Sequence, residues 1–151
     1  TSLTRSGLTP ALNELVINRQ VPVLGVCVGL QMMGLSSEEG AMPGLGWINA
    51  TVRRLPGSAI GGSLPLPHMG WNTVHPKQSG GILKDLGTAP PFYFLHSYYF
   101  DCRSPDDILA TTDYGIHFPS VVKHGNVFGM QCHPEKSHQQ GTRFLQNFAL
   151  L

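Results

Sequence analysis

Two short stretches of this chain carry residues whose types and spacing can do covalent chemistry. The first is Gly25-Val26-Cys27-Val28-Gly29, a G-x-C-x-G sequence lying between an apolar run and Leu30-Gln31-Met32-Met33, which reads as the start of a helix. The run from Val21 to Val26 is short and rich in β-branched residues, the composition of a buried strand. A cysteine on a sharp strand-to-helix turn is presented to substrate, and the N-terminus of the following helix favours its thiolate. The backbone N–H after it, here that of Val28, is in place to stabilise a developing oxyanion. Gly25 and Gly29 are expected to make room for the turn.

The second stretch, Gln131-Cys132-His133-Pro134-Glu135, follows the strand-like Val127 to Gln131. His133 can take the proton of Cys27 and return it to a leaving group, while Glu135 accepts from the other ring nitrogen and fixes the tautomer. The three side chains would make a thiol triad. Among seven histidines, His68, His75, His117, His124 and His138 lack such an acidic neighbour, and their scatter has no metal-ligand spacing, so no metal site is expected. Free cysteine is most often a small apolar filler, and an inert cysteine in a glycine turn is the structural alternative for Cys27. Cys27, Cys102 and Cys132 are odd in number and include no C-x-x-C pair, which argues against a disulfide framework or a four-thiolate zinc site.

These residues need a scaffold, and 151 residues with 41% hydrophobic and 13% charged content suit one compact domain, residues 1–151, with a real core. A formal charge of +1 gives no net attraction for nucleic acid or an anionic membrane. No apolar run approaches the ~20 residues of a membrane helix, and the polar opening Thr1 to Arg5 is unlike a signal peptide, so the chain is expected to be cytoplasmic. Leu8, Ala11, Leu12, Leu15 and Val16 recur at spacings of three and four and predict a helix over Leu8 to Arg19, with Pro10 near its start. Trp47 to Arg53, Phe92 to Leu95, Ile108 to Thr111 and Ser120 to Val122 read as further short strands. Loops are expected over Pro56 to Pro67 and Gly80 to Gly87. A closing amphipathic helix over Gly141 to Leu151 aligns Phe144, Leu145, Phe148 and Ala149.

Gly25 to Gln31 together with His133-Pro134-Glu135 resembles the class I glutamine amidotransferases. More narrowly, Ser37 to Gly40, Gly44 to Trp47, Pro67 to Asn72 and His96 to Tyr99 look like the glutaminase subunits of imidazole glycerol phosphate synthase, in order from about Val21 to the C-terminus. The resemblance implies an α/β, three-layer fold with a central, mostly parallel sheet flanked by helices. It implies hydrolysis of L-glutamine by Cys27, His133 and Glu135 without metal or organic cofactor, the ammonia passing to a (β/α)8-barrel synthase subunit in a heterodimer of histidine biosynthesis. Gln31 and Glu39, with groups of His96, Ser97 and Tyr98, would hold the α-amino and carboxylate ends of glutamine. Pro67, His68, Met69, Gly70, Trp71 and Asn72 would belong to the partner face, with Trp71 and Asn72 near the ammonia passage.

Two departures from the resembled pattern matter. A first strand and a glycine-containing loop with a second oxyanion donor should precede Thr1, so the domain is expected to be truncated at its start; losing one such donor typically costs ~10²–10³ in turnover. Cys132 replaces an apolar residue, and a thiol there would compete for the proton of His133 or oxidise. The rival functions are an amidotransferase serving another acceptor, such as a surface-polysaccharide sugar, and a non-catalytic docking or regulatory module.

Overall fold

The computed structural model describes residues 2–57 and 64–151. Part of the stretch read as the Pro56 to Pro67 loop lies outside them. A short helix α1 (Ser2–Arg5) leads into α2 (Thr9–Asn13), which runs on into a π-turn over Glu14–Asn18. That turn differs from the expected regular helix, because each π-turn holds an extra residue and rotates the apolar stripe away from the core. Val16 is buried as a result, whereas Leu8 and Leu15 are exposed. Asn13 Oδ1 accepts from Trp47 Nε1 at 2.8 Å, which ties this segment to the body of the fold.

Next come β1 (Val23–Val26), α3 (Val28–Met32), β2 (Ser36–Ser37), β3 (Ala50–Arg54), β4 (His68–Thr73), β5 (His75–Pro76), β6 (Pro91–His96) and β7 (Tyr98–Cys102). They are followed by β8 (Ile108–Asp113), β9 (His117–His124), β10 (Val127–Met130) and α4 (His138–Ala149). The central sheet has the order β1-β10-β9-β8-β5. It is mixed rather than mostly parallel: only β1 and β10 run parallel, while the other neighbours are antiparallel. The reason is local, since β9 and β10 are joined by the two-residue turn Gly125-Asn126, with Gly125 at φ 57°, and a hairpin cannot be parallel.

Side chains of β9 and β10 alternate between two cores, as the two-residue strand period requires. Val121, Phe128 and Met130 join Phe92, Phe94, Phe118 and Phe144 on one side; Val122 and Val127 join Leu30, Ile48, Val52 and Phe100 on the other. A sheet buried on both faces gives its central strand no polar alternation, and all four residues of β10 are buried. The strand β3 pairs antiparallel with β7, and β4 with β6 in the register His68 with His96 and Trp71 with Tyr93. The stretch read as the Gly80 to Gly87 loop contains a short turn, Gly81–Leu83, whose Ile82 and Leu83 are buried. Asn147 of α4 donates to its carbonyls, Ile82 O at 3.1 Å and Lys84 O at 2.7 Å, while Leu145, expected on the inner face, is exposed. No helix among the described residues is long and apolar enough to cross a membrane.

Candidate active site

The strand β1 delivers Cys27 to the N-terminus of α3 in a left-handed backbone conformation, φ 51° and ψ −108°. A non-glycine residue there stores roughly 1–3 kcal/mol of strain, so the surroundings must hold it. They do so from both sides: Cys27 N–H donates to Met130 O at 2.7 Å on β10, and Cys27 O accepts from Gln31 N–H at 3.1 Å in α3. Gly25 is needed because a Cβ there would lie 2.6 Å from Leu30 N and 2.7 Å from Gly29 C, pushing α3 off the strand. At Gly29 a Cβ would meet nothing within 4 Å, so the steric demand of the turn falls on Gly25 alone.

The sulfur is partly buried and held by two groups. Cys27 Sγ donates to Leu95 O at 3.7 Å and accepts from Gln131 Nε2 at 3.6 Å. Burial raises its pKa above the ordinary thiol value, with the charges of Glu135 and Glu39 adding to the rise; the Val28 N–H and Gln131 pull the other way. The resting group is therefore a thiol, and it needs a base.

His133 sits just past β10, where its N–H donates to Tyr93 O at 2.8 Å. Ser137 Oγ fixes the turn that follows by donating to His133 O at 2.6 Å and accepting from Tyr93 N–H at 3.0 Å. The ring Nδ1 lies 2.7 Å from Glu135 Oε1. A carboxylate can only accept, so Nδ1 carries a proton, and in the neutral imidazole the lone pair is then on Nε2. Nε2 is buried and has no hydrogen-bond partner among the described residues. An orphaned basic nitrogen in a protein interior calls for an explanation, and a base waiting for a proton is one. Cys27 and His133 are brought to the same end of β1 and β10, yet no hydrogen bond joins sulfur to Nε2. The thiol is committed to Leu95 O, and it must turn from that carbonyl to hand over its proton.

Gln31 reaches the same cluster from α3. Its Nε2 donates to Tyr98 O at 3.0 Å and to Gln131 Oε1 at 3.1 Å, which uses both amide hydrogens, and Oε1 has no hydrogen-bond partner among the described residues. Beside it opens a cavity of about 930 Å3 lined by Thr9, Asn13, Val28, Gln31, Ser37 and Glu39 among others; Cys27, His133, Ser97 and Tyr98 lie outside its lining. Glu39 makes no side-chain hydrogen bond among the described residues, in contrast to Glu38, which is tied to Arg53 at 3.3 Å and to Arg54 N–H at 2.8 Å. Ser97 O accepts from Leu55 N–H at 2.9 Å, which leaves Ser97 half-buried between β6 and β7.

His96 faces inward, away from any free role for its ring. Its Nδ1 donates to Tyr98 O at 2.8 Å, so its Nε2 accepts from His68 Nδ1 at 3.0 Å, and His68 Nε2 in turn accepts from Asn72 Nδ2 at 3.1 Å. His68 is stacked between Phe94 at 4.7 Å and Tyr114 at 3.9 Å. Burial lowers both imidazoles to about 4, with mutual repulsion contributing for His68. The folded chain thus binds fewer protons than the unfolded chain, whose histidines titrate near 6.5. Stability is complete above that pH and falls as pH drops from about 6.5 towards 4. Urea midpoints at about pH 7 and about pH 5 check this: a clear drop is expected, and a flat profile counts against the buried neutral pair.

Of the remaining positions on β4, Met69 and Trp71 point to solvent, and Trp71 stacks on His138 at 5.3 Å. Asn72 is turned inward, donating to Asp113 O at 3.0 Å as well as to His68 Nε2, and Pro67 is exposed. Cys132 does not behave as a competing thiol: its side chain is fully buried in the apolar core, and burial holds its pKa well above the ordinary value. Cys102 is pushed up to about 12 by burial and by Asp107 and Asp101. Gln131 and the Leu95 carbonyl, the two partners of the sulfur, escaped the sequence reading. The available signal was a polar side chain inside an otherwise apolar strand just ahead of His133.

The family model for glutamine amidotransferase class-I matches residues 2–151. The imidazole glycerol phosphate synthase subunit HisH of Bdellovibrio bacteriovorus is 48% identical over 150 residues, 97% of this chain and 72% of that protein. The protein of the same description from Leptospira borgpetersenii is 44% identical over 149 residues, 99% of this chain and 73% of that protein. A crystal structure of a glutamine amidotransferase superposes with a TM-score of 0.68 at 18% identity, covering 97% of this chain and 71% of that one, and so supports the fold. With the family model matching residues 2–151 and relatives 44–48% identical over nearly the whole chain, the chain belongs to the class-I glutamine amidotransferases.

Proposed function

We propose that this chain is the glutaminase subunit of an imidazole glycerol phosphate synthase, acting in the cytoplasm in a heterodimer with a (β/α)8-barrel synthase subunit. It hydrolyses L-glutamine to glutamate and delivers the ammonia to that partner for histidine biosynthesis. The observation that carries the chemistry is His133, whose Nδ1 is committed to Glu135 at 2.7 Å while its buried Nε2 has no partner. The choice of acceptor is supported by relatives at 44–48% identity that are described as imidazole glycerol phosphate synthase subunits.

In this reading the α-ammonium of glutamine lies towards Gln31 Oε1 and Glu39, both acceptors that line the cavity beside α3, and its carboxylate extends beyond that cavity towards the Ser97-Tyr98 segment next to Gln31. The thiol of Cys27 turns from Leu95 O and gives its proton to His133 Nε2 as sulfur attacks the carboxamide carbon. The Val28 N–H receives the developing oxyanion. Collapse breaks the C–N bond, the departing nitrogen takes the proton from Nε2, and ammonia leaves a γ-glutamyl thioester. Water, deprotonated by His133, then adds to the thioester, and cleavage of the C–S bond returns glutamate and the thiol. The exposed Met69 and Trp71 of β4 face the partner. The test is glutamine-dependent formation of imidazole glycerol phosphate by this chain mixed with a barrel synthase subunit; glutamate release without that product would point to another acceptor.

A further inference from the structure

Gln131 stands out as an expensive residue in an inexpensive place. It is fully buried, it follows a strand of four buried residues and precedes Cys132, which packs in the apolar core. A leucine or methionine there would avoid the cost of burying an amide, which is of order 1–3 kcal/mol when its bonds are incomplete. The backbone has no need of the side chain, because Gln131 N–H already donates to Ser120 O at 2.9 Å. Yet both ends of the amide are aimed at the reacting cluster: Oε1 accepts from Gln31 Nε2 at 3.1 Å, and Nε2 points at Cys27 Sγ at 3.6 Å. Gln31 is itself pinned by Tyr98 O at 3.0 Å, so the orientation of the second amide is set by the first. An amide with its oxygen fixed in this way can present only its N–H to the sulfur.

We propose that Gln131 is a further catalytic residue of the glutaminase reaction, a donor to the Cys27 sulfur that stabilises it as a thiolate. The donor acts twice. When His133 Nε2 removes the proton, sulfur becomes an anion next to Gln131 Nε2–H and attacks the carboxamide carbon. When water has added to the thioester and the C–S bond breaks, the electron pair returns to sulfur and meets the same N–H before the proton comes back. Donation to an ionised acceptor is stronger than to a neutral one, so the contact favours the thiolate over the thiol that rests on Leu95 O. The assignment rests on the glutaminase reading above, but its first measurement does not.

That measurement is the pH dependence of Cys27 alkylation by iodoacetamide in the chain alone, followed on the peptide that contains it, for the native chain and Gln131→Met. Methionine keeps the length and the buried volume and removes the donor. The expected result is a rise of about one unit in the apparent thiol pKa, a loss of roughly tenfold in alkylation rate at neutral pH. With the barrel subunit present, glutamine-dependent kcat is expected to fall roughly 10–100-fold with little change in KM, while ammonia-dependent turnover is unchanged. If Gln131→Met does not fold, Gln131→Leu, which also lacks a donor, takes its place, and the same rise in the thiol pKa is expected. An unshifted alkylation profile in a folded variant overturns the role of Gln131. Should Cys27→Ala retain glutamine-dependent turnover, the glutaminase reading itself fails, and the two failures are distinct.

Discussion

Replacing Cys27 with alanine is expected to lower glutamine-dependent turnover by on the order of 10⁴-fold or more, the scale at which removal of a covalent nucleophile is felt. The reaction of the assembled enzyme supplied with ammonia is expected to continue at its native rate. The separation follows from the geometry, because the sulfur's contacts are Leu95 O and Gln131 Nε2, both within the glutamine cluster. Alanine keeps the backbone bonds of the turn, from Cys27 N–H to Met130 O at 2.7 Å and from Gln31 N–H to Cys27 O at 3.1 Å, so the fold should survive. Side-by-side assays with glutamine and with an ammonium salt make the comparison. Equal loss of both activities would mean that the substitution acts on assembly and that the proposed nucleophile is misassigned.

The second large effect runs against intuition. Gly141 lies inside α4, where alanine is favoured over glycine by about 1 kcal/mol on helix propensity alone. A Cβ at Gly141, however, would overlap the carbonyl of Pro134, a backbone group that cannot swing aside. Pro134 O is already the acceptor for Ser137 N–H at 3.0 Å, and Gly141 N–H donates to Ser137 O at 3.1 Å, so the helix start and the Pro134–Lys136 turn are locked together. Gly141→Ala must force α4 away from the turn that carries His133 and Glu135. The expected outcome is a net loss of about 3 kcal/mol in unfolding free energy, steric overlap outweighing propensity, with glutaminase activity falling alongside. Urea unfolding of the two forms decides it, and an alanine variant as stable as the native chain would show that the close approach is not needed.

The site could be read from sequence where the chemistry and its support are adjacent in the chain. Cys27 between a strand and a helix, and the Pro134-separated His133 and Glu135, declare themselves within five residues each. The strand β10 was legible as a short apolar run and the helix α4 from Phe144 and Phe148, although Leu145, on the expected inner face, is exposed. What sequence concealed depends on distant partners. The strand β4 contains Gly70 and Asn72, and its alternation is inverted, with Met69 and Trp71 exposed and His68 buried; it is a strand because β6, later in the chain, offers it a matching edge. The pairing of His68 with His96 and that of Gln31 with Gln131 span 28 and 100 residues, distances over which no local pattern can report. The π-turn over Glu14–Asn18 shows the converse, a regular three-four spacing overridden by tertiary packing.

The central proposal is a covalent bond between Cys27 and the carboxamide carbon (Cδ) of glutamine, and the most direct measurement is mass analysis of the chain quenched in acid during turnover with its barrel partner. One γ-glutamyl group on the peptide carrying Cys27, absent from the peptides of Cys102 and Cys132, is the expected finding. Steady release of glutamate with Cys27 unmodified at every quench time, and undiminished in the Cys27→Ala variant, would contradict it.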